Sequence, residues 1–157
     1  MTNQHKWDIR FLELAKHISQ WSKDPSTKLG AIIVNDKHQV VGVGYNGFPR
    51  GVEDSDERLN DRPTKYAMVV HAEVNAILNA SGNVEGCTIY TYPTLMLPNV
   101  CNGCAKAVIQ SGIRRAVCYN GEMNERWAAE AEITKTMFEE GGVQIDMIEQ
   151  EREPDVD

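Results

Sequence analysis

Residues 86–119 read GCTIYTYPTLMLPNVCNGCAKAVIQSGIRRAVCY, the clearest alternation of secondary-structure signals in the chain. Gly86 to Tyr92 is rich in β-branched and aromatic residues and predicts a strand. Asn102 to about Gln110 predicts a helix stopped by Ser111-Gly112, and Arg115 to Tyr119 predicts the next strand. Toward the C-terminus, Glu125 to Glu139 predicts a helix closed by Gly141-Gly142, a pair suited to a helix C-cap. Val143 to Ile148 predicts the last strand, and an acidic tail occupies about 149–157.

Toward the N-terminus, Trp7, Phe11, Leu14, Ala15 and Ile18 recur at helical spacing, so residues 6–22 predict an amphipathic helix. It ends at Ser22-Lys23-Asp24-Pro25, because a residue before proline avoids the helical region. Leu29 to Val34 and Gln39 to Gly44 predict a hairpin around Asn35-Asp36-Lys37-His38. The polar stretch from Asn46 to Thr64 predicts a long loop of the functional kind. A further helix is expected to begin near His71, with Val74, Ile77 and Leu78 turned to the core. The order is that of a three-layer α/β/α sandwich on a mixed five-stranded sheet whose first pair is antiparallel. One domain over residues 1–157 is expected.

The chain is acidic, with 16 basic and 23 acidic residues, a net charge of −7 and a pI near 5.1. Proteins that track a nucleic-acid backbone carry a basic face, so the balance weighs against a polynucleotide substrate. No apolar run reaches membrane-spanning length and no signal-peptide core follows Met1. Four cysteines with one close pair suit metal binding in a reducing cytoplasm better than a disulfide framework.

Two groups of residues, His71-Ala72-Glu73 and the pair Cys101 and Cys104 with Pro98 just upstream, carry the chemistry. His71, Cys101 and Cys104 would give a zinc ion one imidazole and two thiolates, leaving the fourth tetrahedral position for water, as catalytic sites do. Both groups fall at expected helix starts, where unpaired N–H groups favour thiolates. Cys101 and Cys104 share a helical face at a spacing of three. A lone C-x-x-C would suit a redox pair or two buried thiols equally; His71-Ala72-Glu73 upstream favours the metal. Glu73 would by default be a solvated helix residue. Two residues past the imidazole, it is placed to reach the water without binding the metal. His5, His17 and His38 have no ligand-like neighbours, and Cys87 and Cys118 read as buried small hydrophobes.

The set approaches the H-x-E…P-C-x-x-C pattern of zinc-dependent nucleobase deaminases, in which zinc activates a water and the glutamate moves its proton. Ser22-Lys23-Asp24-Pro25, the run from Gly30 to Asn35, the run from Gly42 to Pro49, Lys65-Tyr66, His71 to Ile77 and Cys104-Ala105-Lys106 together resemble the deoxycytidylate (dCMP) deaminase family. The resemblance runs from about residue 7 to 148. It implies a cytidine-deaminase-like fold, zinc as cofactor, and hydrolysis of dCMP to dUMP and ammonia for thymidylate synthesis in the cytoplasm. It implies nucleotide contacts at Asn35, Tyr45, Asn46, Gly47 and Ala72, Asn46 offering a donor and an acceptor to a sugar hydroxyl. Alone, Asn46-Gly47 would be a plain turn.

The same resemblance implies a homo-oligomer, a hexamer in this family, that dCTP activates and dTTP inhibits, with Mg²⁺ beside the triphosphate. Lys28, Gly44, Arg50 and Lys65 are the candidate phosphate or effector contacts, with Arg58 and Arg62 nearby. The chain departs from the family in two places. Pro98 stands three residues before Cys101 instead of next to it, in a lengthened segment that borders the expected base pocket. The aromatic that stacks on the base has no match in Gly121-Glu122-Met123, leaving Tyr119, Tyr92 and Trp127 as substitutes. The competing readings are a deaminase of a different or modified cytosine or adenine substrate and a catalytically silent nucleotide-binding regulatory module. The complete His71, Glu73, Cys101 and Cys104 set speaks against the latter.

Overall fold

The computed structural model describes residues 2–93, 101–121 and 128–151, the side chains of Cys101 and Asn102 excepted. Among these residues eleven elements follow in the order α1 (Asn3–Ser19), β1 (Gly30–Val34), β2 (Val40–Tyr45), α2 (Asp56–Asn60), α3 (Arg62–Met68), α4 (Ala72–Leu78), β3 (Thr88–Tyr92), α5 (Cys101–Gln110), β4 (Arg115–Tyr119), α6 (Ala128–Glu140) and β5 (Gln144–Ile148). The five strands lie side by side in the order β2-β1-β3-β4-β5. β1 runs antiparallel to β2 and β3, whereas β3, β4 and β5 are mutually parallel. The expected mixed sheet with an antiparallel first pair is therefore present.

Strand parity builds the layers. Ile32, Val34, Tyr90, Val117, Tyr119 and Ile148 pack against Phe11, Leu12, Ala15 and Ile18 of α1. The alternate residues Ala31, Ile33, Ile89, Ala116 and Cys118 pack against Ala72 and Ala76 of α4, Cys104, Ala105 and Val108 of α5, and Phe138 of α6. Side chains one residue apart in a strand point to opposite faces, so each strand serves both cores. β1 is buried along its whole length because helices cover both of its faces.

Two segments differ most from the sequence reading, and Leu78, expected to turn to the core, is 73% exposed. α1 begins at Asn3, where Thr2 caps it by accepting from His5 N, and ends at Ser19 instead of Ser22. The stretch 46–64 is not loop throughout. Ser55 caps α2 by accepting from Arg58 N, and Asp61 caps α3 by accepting from Thr64 N, with Pro63 in the first turn. These helices are short and bury Leu59 and Lys65, so they leave no apolar period to read; their caps were the available signal.

α4 is set onto the sheet by a glycine. A Cβ added to Gly44 would lie 2.3 Å from both Ala72 O and Ala76 N. The helix backbone therefore rests on β2 where no side chain intervenes. This approach fixes the height of the first turn of α4, which carries the candidate site.

Candidate active site

His71 is the N-cap of α4 and has extended backbone angles, with no side-chain bond to the helix it caps. Its imidazole is thus left for another partner, and Nδ1 lies 3.3 Å from Cys104 Sγ in the first turn of α5. Two helix starts, one after β2 and its long connection and one after β3, converge on a nitrogen and a sulfur. Cys101 opens α5 three residues before Cys104; its side chain lies outside the described residues. Among the described residues no group of three metal-binding side chains is complete, as follows when one of the three expected ligands is not described.

Burial lowers the pKa of His71, which keeps the ring neutral as a metal ligand must be. Glu73 is 1% exposed. Burial raises its pKa, outweighing the helix-start N–H and Cys104 contacts that favour the charge. Its Oε2 has no hydrogen-bond partner. A buried carboxyl oxygen left unpaired beside a His–Cys pair is an acid–base group waiting for a partner that the protein itself does not supply. This donor set suits zinc, and the orphan oxygen suits a water next to it.

The connection from β2 reaches the site by a short bridge. Gly47 N donates to Val70 O at 3.1 Å and Val70 N to Gly47 O at 2.8 Å, which holds the 45–49 loop beside His71. Asn75 Nδ2 donates to Tyr45 O at 2.8 Å. A cleft runs along this loop, lined among others by Trp21, Lys23, Asp24, Tyr45, Gly47 and Lys65. Tyr45 is exposed and meets Trp21 edge-on at 6.2 Å. Trp21 and Lys23 escaped the sequence reading, although Lys23 and Asp24 belong to a motif it singled out.

Several expected contacts are placed differently. Asn46 is buried; Oδ1 accepts from Leu29 N and Nδ2 donates to Thr27 O, both at 2.8 Å. Its amide is used inside the chain, tying the 22–29 turn to β2, rather than offered to a sugar. Ser22 Oγ donates to Asn46 O in the same knot. Lys65 is buried with its Nζ 3.1 Å from Asp24 Oδ1, and Lys28 Nζ donates to Ser22 O at 2.9 Å. Arg58 Nη1 donates to Glu53 O, and Arg50 Nη2 donates to Asn79 Oδ1 at 3.0 Å in a second cleft on the other side of Tyr45. Gly44 meets α4, as described above, and Ala72 is buried beneath it.

Asn35 does not join the site. It closes the β1–β2 turn, accepting from Lys37 N and Gln39 N. The Val34 end of β1 lies beside Thr88, and the Gly30 end beside Tyr92, where the chain leads on to α5. Asn35 is therefore at the opposite end of the sheet. Tyr119 and Tyr92 fail for a different reason, parity. Tyr119 packs in the α1-side core and donates from its hydroxyl to Glu13 Oε1 at 2.6 Å; Tyr92 meets it edge-on at 6.2 Å. Both rings lie on the sheet face away from His71, Glu73 and Cys104. Trp127 and the segment 94–100 with Pro98 lie outside the described residues. Cys87 and Cys118 are buried as expected.

A model of the cytidine and deoxycytidylate deaminase zinc-binding region matches residues 5–120. The chain belongs to that deaminase family. It is 39% identical over 145 residues to an uncharacterized deaminase from the luxG 3′ region of Aliivibrio fischeri, covering 89% of this chain and 92% of that one. It is 38% identical over 144 residues to the deoxycytidylate deaminase of Homo sapiens, covering 88% and 77%. The dCMP deaminase of cyanophage S-TIM5, solved in complex with dCMP and dUMP, superposes with a TM-score of 0.68 at 22% identity over 94% of this chain and 99% of that one, a likeness of fold. The enzyme class read from the sequence, a hydrolytic deaminase of a zinc-binding family, stands. No helix among the described residues is long and apolar enough to cross a membrane.

Proposed function

We propose that this deaminase converts dCMP to dUMP and ammonia. The observation that carries the reading is the buried, half-unpartnered Glu73 beside the His71–Cys104 pair at two helix starts. Its kinship to deoxycytidylate deaminases at 38% identity supports the choice of base and sugar. His71, Cys101 and Cys104 would hold the zinc, which supplies Lewis-acid polarisation of a water at neutral pH.

The chain's own residues do the rest. Glu73 accepts a proton from that water and delivers it to N3 of cytosine as the oxygen bonds to C4. It then takes the proton of the new C4 hydroxyl and gives it to the amino nitrogen, which leaves as ammonia while the C4 carbonyl forms. A carboxyl whose pKa is raised by burial holds and releases a proton more readily near neutral pH than an exposed one. Glu73, at 1% exposure, is itself shielded from bulk water.

The phosphate of the nucleotide is the discriminating feature. A charge-assisted contact from one lysine or arginine contributes about 1.5–3 kcal/mol, roughly tenfold or more in kcat/KM. Ammonia release measured side by side on dCMP, CMP, dCTP, deoxycytidine and a short oligonucleotide is expected to favour dCMP over deoxycytidine by that margin. Equal efficiency on the two would assign a nucleoside substrate. Turnover of none of the five, with zinc bound, would point to a different base or a silent module.

The reading extends to regulation. The cleft lined by Lys23, Tyr45 and Gly47 would take a nucleoside triphosphate, dCTP activating and dTTP inhibiting, in a homo-oligomer of hexameric size that feeds thymidylate synthesis in the cytoplasm. Asp54 also lines this cleft and is ion-paired to Lys23 at 3.0 Å. A carboxylate there favours entry of the triphosphate with Mg²⁺. Opposite shifts of the dCMP saturation curve by the two ligands are the expected result. Curves unchanged by either would confine the loop to other work. Each effector must bind one of two states better, a difference of about 1–3 kcal/mol.

A further inference from the structure

Thr91 places a hydroxyl in a buried position where an unpartnered polar group is costly and valine would fill the same shape. It lies near the end of β3 and is 1% exposed, and its Oγ1 has no hydrogen-bond partner. The other buried side-chain oxygen or nitrogen without a partner among the described residues is Oε2 of Glu73. Two such orphans in one molecule call for a common explanation.

The sheet register places Thr91 in line with the glycine on which the Glu73 helix rests. Thr91 pairs with Ala31 on one side and Cys118 on the other, and Ala31 pairs with Gly44. Gly44, Ala31, Thr91 and Cys118 thus form one transverse row. Parity places the row on the face of Ile89, under α4 and α5. The first turn of α4 rests directly on the Gly44 end of that row. Ala31, between Gly44 and Thr91, is small and fills little of the space beneath the helix. Thr91 is the last residue of β3 on this face, since Tyr92 turns to the α1 side. It therefore stands on the sheet face covered by α4 and α5, the helices whose first turns carry Glu73 and Cys104.

We propose that Thr91 is a positioning residue for Glu73, joined to it by one buried water that accepts from Thr91 Oγ1 and donates to Glu73 Oε2. This water is distinct from the one consumed in the reaction, and the inference rests on the acid–base role assigned to Glu73 above. A buried water needs two or more polar partners, and the two orphan atoms supply them. With one lone pair of Oε2 held by this water and the other left for the reacting water, the carboxylate keeps one orientation through both proton transfers. Without that support it can rotate away from the reacting atoms, which lowers turnover more than substrate binding.

The test uses the zinc-loaded full chain and the variants Thr91→Val and Thr91→Ser. Thr91→Val is expected to keep its zinc content and melting temperature, to lose roughly tenfold in kcat with little change in KM, and Thr91→Ser to restore it. A crystal structure of the zinc-loaded protein is expected to show a water within hydrogen-bonding distance of Thr91 Oγ1 and Glu73 Oε2. A wild-type kcat in Thr91→Val, a dry gap, or a Thr91 hydroxyl bonded directly to a ligand sulfur would each overturn the proposal. The crystallographic result decides even if the protein leaves dCMP untouched, so failure of the substrate reading is separable from failure of this one.

Discussion

Glu73→Ala is expected to abolish nearly all turnover while leaving the zinc and the fold in place. General acid–base groups contribute about 10²–10⁴-fold, and here one carboxyl serves two successive proton transfers, which puts the loss at the upper end. The side chain is not needed for the metal if, as proposed, the three ligands are His71, Cys101 and Cys104. Metal analysis together with kcat on dCMP checks both halves. A variant that lost its zinc would make Glu73 a ligand and move the acid–base role elsewhere.

Glu73→Gln gives a companion result with a worked sign. Burial raises the folded-state pKa of Glu73 above its ordinary value of 4.5. Below that value both folded and unfolded states hold the proton, and the carboxyl imposes no penalty. As pH rises above it, the unfolded chain ionises first, so stability falls. In metal-free protein the amide is therefore expected to melt higher than wild type near neutral pH. The gap should close in acid, as measured by thermal unfolding across pH. Sites shaped for chemistry often carry such strain.

Much of this was legible in the sequence because its signals were local and periodic. The strand–helix–strand alternation of residues 86–119 yielded the parallel part of the sheet, and α-helical spacing in Trp7, Phe11 and Ile18 yielded the helix on its other face. His71 and Glu73 could be read because their offset repeats a chemical requirement. The misplacements arose where residue type was used without direction. Tyr92 and Tyr119 are aromatics near the right strand ends, yet a period of two sends both to the α1 side. The residue near the end of β3 that turns to the α4–α5 face is Thr91, itself a good β-former, with nothing in its spelling to mark it. Asn46 was assigned to a ligand through the family resemblance, and Lys65 as one of the cations flanking the nucleotide loop. Their partners Leu29, Thr27 and Asp24 are 17, 19 and 41 residues away in the chain, and only the fold brings those together.

The metal itself provides the second large effect. Cys104→Ser is expected to reduce zinc content sharply and bring dCMP turnover to background, because a serine hydroxyl is a poor substitute for a thiolate at a tetrahedral zinc site. Cys104 is buried, in the first turn of α5, and its sulfur meets His71 Nδ1 at 3.3 Å, so removing it takes away the group that joins α5 to α4. Cys87 just precedes β3 and Cys118 lies within β4, neither at a helix start, and Cys87→Ser or Cys118→Ala should retain the metal whatever they do to packing. Thermal unfolding with added Zn²⁺ separates ligand loss from core damage. At free zinc about 100 times its dissociation constant, binding stabilises the folded state by about 2.7 kcal/mol, roughly 5–10 °C for a chain of this size. Wild type and the two control variants should show that rise; Cys104→Ser should not. Full zinc content and an undiminished thermal response in Cys104→Ser would remove Cys104 from the ligand set and leave the convergence of the two helix starts without its chemical purpose.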